Sequence, residues 1–116
     1  MPTTLSELQT FKAEFFRALA HPVRIRILEV LRAGPQTVQQ LQQALDLDQP
    51  SVSQHLAVLR ARQLVVASKS GNAVVYDVRD VLIHDLLATA RTIFNRRLTD
   101  TQDMLKELAR ESRRTR

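Results

Sequence analysis

Between Leu45 and Gln49 the chain has only Asp46-Leu47-Asp48 in which to turn from one amphipathic segment into the next. A link of that length joins two helices at a steep angle, about 90–120°, instead of letting them drift apart. The upstream segment opens with a capping-box pattern, Thr37-x-x-Gln40, and turns Val38, Leu41 and Leu45 inward. Downstream, Asp48 is placed to cap a helix running to about Arg62, with Val52, Leu56 and Leu59 inward at i, i+4 and i+7. Ser51, Ser53, Gln54 and Ala57 fall outside that stripe.

Two helices are expected before this pair. Thr4-Leu5-Ser6-Glu7 has the form of a capping box, and Leu5, Leu8, Phe11, Phe15, Phe16 and Leu19 recur at helical spacing. The first helix should stop near Ala20, because Pro22 cannot continue it without losing a hydrogen bond. His21 then serves as an N-cap and Pro22 as the first residue of a second helix, which carries Ile25, Ile27, Leu28 and Leu31 and closes at Gly34-Pro35. After the central pair come two extended runs, Leu64–Ser68 and Ala73–Val78, joined by Lys69-Ser70-Gly71-Asn72. Gly71 supplies the positive φ that such a hairpin needs. From Asp80 onward an apolar stripe through Ile83, Leu86, Leu87, Ala90, Ile93, Phe94, Leu98, Leu105 and Leu108 predicts either one long helix or a helix bent near Thr99-Asp100.

The order α-α-α-α-β-β-α, mainly α with a small β-hairpin, is that of a winged helix-turn-helix. With 116 residues, the chain is expected to form a single domain over residues 1–116. Residues 110–116, with Arg110, Arg113, Arg114 and Arg116, read as a disordered basic tail. The absence of cysteine excludes disulfides and thiolate metal ligation. No apolar run reaches the ~18–20 residues of a membrane span, and the start MPTTLSELQT lacks a leader pattern, so a cytoplasmic protein without a membrane partner is expected. Seventeen basic against twelve acidic side chains, a net charge of +5, suit a polyanionic partner, and equally an acidic protein or a membrane surface.

The second helix of the central pair has side chains suited to reading DNA. Gln49 and Gln54 present amides that can pair with adenine, Ser51 and Ser53 can reach bases or phosphates, and the helix N-terminus offers free N–H groups. Lys69 and the polar hairpin tip could lie along a neighbouring backbone or minor groove. Against this, residues 36–63 hold only Arg60 and Arg62 opposite Asp46 and Asp48, a net-neutral stretch. A winged-helix module that binds a separate partner protein is the alternative from another class.

Three separated motifs carry a family resemblance. Phe16-Arg17-Ala18-Leu19-Ala20-His21-Pro22-Val23-Arg24-Ile25-Arg26-Ile27-Leu28 resembles the second-helix signature of the ArsR/SmtB regulators. Ser51-Val52-Ser53-Gln54-His55-Leu56-Ala57-Val58-Leu59-Arg60 resembles their recognition helix, and Gly71-Asn72-Ala73-Val74-Val75-Tyr76 their wing. The similarity spans about residues 11–95. It implies a transcriptional regulator, repressor or activator, that binds an inverted-repeat operator in double-stranded DNA as a homodimer. The DNA-facing set it implies is Thr37, Gln49, Ser51, Ser53, Gln54 and His55, with Lys69, Ser70 and Asn72 on the wing. Asn72 departs from the arginine that many members carry there. Family dimers form through the first and last helices, here Leu8, Phe11, Phe15, Leu87, Ala90, Phe94 and Leu98. The residues support this independently, because one small domain cannot cover both the Phe11/Phe15/Phe16 cluster and the whole Ile83–Leu108 stripe.

The family's metal sites find few ligands. Thr37, Gln39 and Gln42 stand where a third-helix thiolate site needs cysteines. At the last-helix site Asp80 matches one position, while Leu82, Ile93 and Arg96 occupy the others. Asp80 and His84, four residues apart, remain as a candidate pair for nickel or zinc at a non-standard site, against the simpler account of a capping carboxylate beside a surface imidazole. No cofactor is implied, and the inputs left open are an organic effector, a companion protein or simple competition at the promoter. No phosphate loop or nucleophile–base arrangement points to an enzyme, since Ser53-Gln54-His55 lies along one helix.

Overall fold

The capping residues set the helix boundaries. The computed structural model describes residues 4–114, with side chains from Ser6 onward, so the Thr4 hydroxyl and Leu5 side chain lie outside the described residues. Helix α1 (Thr4–Leu19) ends before Pro22, and α2 (Pro22–Val30) begins there. His21 Nδ1 accepts from the backbone N–H of Val23 at 3.1 Å, as expected of an N-cap. A single 3₁₀ turn, Leu31–Ala33, leads to Gly34, whose φ of +127° only glycine adopts without strain.

Strand β1 (Gln36–Thr37) follows, then α3 (Val38–Leu45) and α4 (Gln49–Ala61). The Thr37 capping box closes in both directions, with Gln40 N–H donating to Thr37 Oγ1 at 3.1 Å and Thr37 N–H donating to Gln40 Oε1 at 2.8 Å. Helix α3 terminates at Asp46 in the left-handed region (φ +54°), a conformation that Asp tolerates, and Leu47 N–H returns to the Gln42 carbonyl. Helix α4 ends in a Schellman motif. Gln63 N–H bonds the Arg60 carbonyl, Leu64 N–H bonds the Leu59 carbonyl, and Gln63 takes the left-handed φ of +60° normally given to glycine. The apolar contact that accompanies this motif comes from Leu59 and Leu64, both buried.

β2 (Val65–Ser70) and β3 (Ala73–Val78) pair antiparallel from Val65↔Val78 to Ser70↔Ala73. The connection is therefore the two residues Gly71-Asn72, not the four expected, with the first strand extending to Ser70. Gly71 alone has positive φ (+65°), the pattern of a type II′ turn. β1 adds to the outer edge of β3 in the order β1-β3-β2, a third strand that the sequence pattern does not announce.

The chain divides into two compact units, Met1–His84 and Asp85–Arg116, where the sequence reading treats residues 1–116 as one. In the first unit the core comprises Ala18 and Leu19 of α1, Ile27, Leu28 and Leu31 from α2 and its end, Leu41, Val52, Leu56, Leu59, Leu64, Val65, Val78 and Ile83. The second consists of the remainder of α5 (Leu82–Arg114), a single 33-residue helix with no break at Thr99-Asp100. Arg110, Arg113 and Arg114 belong to its last turns, where the sequence reading expects a frayed tail; Thr115 and Arg116 lie outside the described residues.

A small polar junction locks α4 to the elements beneath it. Arg24 donates through Nε to the Ala18 carbonyl at 2.6 Å and through Nη2 to the Arg17 carbonyl, while its Nη1 lies 3.3 Å from His55 Nδ1. The His21 and His55 rings stack at a tilt, centroids 4.3 Å apart. A guanidinium can only donate, so His55 Nδ1 accepts and its neutral ring carries the proton on Nε2. Burial lowers the His55 pKa from the usual value, and the neighbouring His21 and Arg24 charges lower it further.

Two outcomes are expected. Gln63→Gly relieves the left-handed strain and raises stability by roughly 0.5–1 kcal/mol in chemical denaturation; a destabilised variant would contradict the backbone account. For His55, the unfolded chain takes up a proton as pH falls through 6.5 and the folded chain only lower. Stability is therefore intact above pH 6.5 and is lost as pH falls toward and through the folded pKa. Thermal melts at pH 7 and pH 5 should show a larger loss for the parent protein than for His55→Gln; parallel losses would show that the junction does not titrate in this way.

Candidate nucleic-acid interface

Burial of Val52, Leu56 and Leu59 turns the opposite face of α4 to solvent. Gln49 and Gln54 are exposed there, and Ser51 and Ser53 are half-buried. The polar groups pair along the helix. Gln49 Nε2 donates to Ser53 Oγ at 2.7 Å, and Ser51 Oγ donates to Asp48 Oδ1. Gln54 makes no side-chain hydrogen bond among the described residues, leaving its amide donor and acceptor for a ligand. An α-helix with this outer face fits the major groove, about 12 Å wide, where glutamine amides complement adenine N6 and N7.

The N-terminus of α4 differs from the sequence expectation. Asp48 occupies the N-cap position but makes no side-chain cap bond, its carboxylate being turned to the Ser51 hydroxyl. That hydrogen bond is the main cause holding the Asp48 carboxyl below its usual pKa, and the group is ionised at neutral pH. A fixed negative charge thus stands where the helix dipole would otherwise favour a phosphate.

His55 does not sit on the outer face. Its ring is turned back toward His21 and Arg24, which makes it a positioning residue for α4. Thr37 stands at the start of α3 with its hydroxyl engaged in the capping box. Lys69, Ser70 and Asn72 are all exposed at the hairpin tip. The residues that the sequence reading misses are Arg24 and the pair Arg62–Glu14, 2.6 Å apart, which ties the C-cap of α4 to α1. No spacing rule links residues 48 positions apart.

The apolar residues expected at a dimer interface remain largely uncovered. On α1, Leu8 is exposed and Phe11 is 71% exposed, while Phe15 is half-buried and meets Phe16 edge-on at 5.4 Å. On α5, Leu87 and Ala90 are half-buried, and Phe94 (60%) and Leu98 are exposed.

The positions of the family's metal ligands do not fit a metal. Thr37, Gln39 and Gln42 offer no thiolate, and the Thr37 hydroxyl is committed to Gln40. Asp80 Oδ1 accepts from Leu82 N–H at 2.9 Å at the start of α5, the role of a capping carboxylate. Among the described residues, no three His, Asp, Glu or Cys side chains gather where they could hold an ion. No helix is long and apolar enough to cross a membrane.

A family model described as a helix-turn-helix domain matches residues 19–66, from the end of α1 to the start of β2. The uncharacterized HTH-type transcriptional regulator Rv0081 of Mycobacterium tuberculosis is 42% identical over 102 residues, covering 87% of this chain and 90% of that protein. Its crystal structure superposes with a TM-score of 0.75 at 44% identity, over 80% of this chain and 94% of that one. The HTH-type transcriptional repressor SmtB of M. tuberculosis is 43% identical over 74 residues, 64% of this chain and 55% of that protein. A homodimeric winged helix-turn-helix domain from Mycobacterium bovis, Mb0332, shares the fold at 23% identity, with a TM-score of 0.77 over 84% and 91% of the two chains. The order of elements, the polar outer face of α4 and these similarities agree: the chain belongs to the ArsR/SmtB-type helix-turn-helix transcriptional regulators, a family of DNA-binding proteins and not of enzymes.

Proposed function

We propose that this chain binds an inverted-repeat operator as a homodimer in the cytoplasm and controls transcription there without a metal cofactor. The observation that carries the reading is the division of α4 into a buried stripe of Val52, Leu56 and Leu59 and an outer face of Gln49, Ser51, Ser53 and Gln54. In the complex α4 lies in the major groove. Gln54 and Gln49 pair with base edges, the serines reach bases or phosphates, and Thr37 meets the backbone. Lys69, Ser70 and Asn72 follow the adjacent backbone from the wing.

A second copy covers the apolar residues left exposed. Leu8, Phe11 and Phe15 of α1 and Leu87, Ala90, Phe94 and Leu98 of α5 form the interface between subunits. A two-fold axis then sets the two α4 helices about 34 Å apart, one turn of the duplex. The donors present fit neither family metal site, so the signal is an organic molecule or a companion protein.

Selection of binding sites from genomic DNA with the purified protein yields the operator for direct tests. Gln54→Ala is expected to weaken binding to that site by about 1–3 kcal/mol, with sedimentation unchanged. Equal affinity of the parent protein for the selected site and for scrambled DNA would defeat the reading. Phe94→Glu places a charge in the proposed interface and should give a monomer at micromolar concentration with operator affinity lost; a sedimenting dimer in that variant would remove α5 from the interface.

A further inference from the structure

A cleft of about 250 Å³ opens where α1, α2 and α4 meet, lined by Glu14, Arg17, Ala18, Arg24, Val58 and Arg62. Three arginines line it against one glutamate, an excess of two positive charges, with Ala18 and Val58 as its apolar part. The Arg24 donors are turned to the Ala18 and Arg17 carbonyls and to His55, which leaves Arg17 and Arg62 to meet a ligand. The Glu14–Arg62 ion pair contributes to this cleft and also to a neighbouring one lined by Phe11, Phe15, Ala61 and Gln63. Of the two, only the arginine-lined cleft is free of the aromatic residues assigned to the subunit interface.

We infer that this cleft binds a small organic anion, a carboxylate on a compact apolar group, as the regulator's effector. Arg17 is exposed, and its side chain makes no hydrogen bond among the described residues. Arg62 is held by a single carboxylate in an exposed pair, the kind worth only about 0.2–1 kcal/mol, so an incoming carboxylate competes with Glu14 at little cost. Guanidinium forks match carboxylates bidentately. An apolar cavity of ~150 Å³ already accommodates a benzene ring, so a one-ring acid fits a cleft of this size. The regulatory part rests on the operator-binding reading. Arg24 lines the cleft and reaches His55 of α4, and Arg62 is the C-cap of α4, so occupancy acts directly on the elements that aim the recognition face.

The test uses the intact ¹⁵N-labelled protein titrated with benzoate, with benzamide as a neutral analogue of the same shape and sulfate as a charge without a ring. Benzoate is expected to produce saturable amide shifts clustered at Ala18, Val58 and Arg62, and benzamide none. Arg17→Gln and Arg62→Gln should each weaken benzoate about tenfold, the loss of one charge-assisted hydrogen bond. If Arg62→Gln perturbs the fold by freeing Glu14, Arg17→Gln carries the test, since it breaks no bond. No saturation, an equal response to benzamide, an equal response to sulfate alone, or indifference to Arg17→Gln each overturns the proposal. Operator affinity measured on the same samples separates the two readings. Anion binding without operator binding defeats the DNA reading and leaves the cleft, whereas operator binding without anion binding does the reverse.

Discussion

Three side chains orient the helix on which everything else rests. Val52, Leu56 and Leu59 are essentially without solvent exposure, and burying residues of this kind contributes roughly 1.5–3 kcal/mol each. Rotating α4 by one residue about its axis would bring Ser53 or Ala57 inward and set an apolar side chain in water. The stripe therefore fixes which residues face outward to within one helical position. The two left-handed residues at its flanks, Asp46 before and Gln63 after, stop the helices abruptly enough that α3 and β2 can pack on either side. Local strain at Gln63 is tolerated because the Leu59–Leu64 contact beneath it is fully buried.

The polar junction complements this stripe. A hydrophobic stripe resists rotation but places less restriction on sliding and tilt, whereas a hydrogen-bonded fork is directional. Arg24 reaches the last carbonyls of α1 and the His55 ring midway along α4, and Arg62 holds the C-terminal end of α4 to Glu14. The middle and the C-terminal end of α4 are thereby referred to α1, and both links use arginines that line the same cleft. A ligand there does not need to deform a packed core to be felt at α4; it has only to redistribute hydrogen bonds that are individually weak.

Much of this was legible from residue spacing. The helix starts at His21-Pro22 and Thr37 follow from capping chemistry that acts over three residues, and the structure places both as the pattern predicts. The inward residues of α4 follow from a period that packing enforces. Part of what escaped depends on partners distant in sequence, and part on local pairing or helix continuation that periodicity alone does not decide. The two-residue β1 exists only because β3 offers Val75 and Tyr76 beside it. The hairpin gained Lys69 and Ser70 because their neighbours at Val74 and Ala73 complete the ladder, although Lys and Ser are poor strand formers alone. His55 lies on a helix flank where periodicity leaves it at the edge, and it is Arg24 and the His21 ring that turn it inward. The continuation of α5 through Thr99-Asp100 to Arg114 reflects helix-compatible residues with neither proline nor glycine after Gly71.

The electrostatics of the outer face bear on how such a protein discriminates. The stretch from Gln36 to Gln63 is net neutral, and the ionised Asp48 stands at the N-terminal end of α4. Under the proposed operator-binding reading, a carboxylate there repels the backbone of any duplex, and that cost is recovered only where the amides and hydroxyls of the same helix find matching base edges. The +5 charge of the chain is thus carried outside α4, by residues 22–33, by α5 and by Arg116, while α1 and the wing are each net neutral. A helix that contributes little non-specific affinity widens the gap between right and wrong sites, because the non-specific term is the one shared by every stretch of DNA.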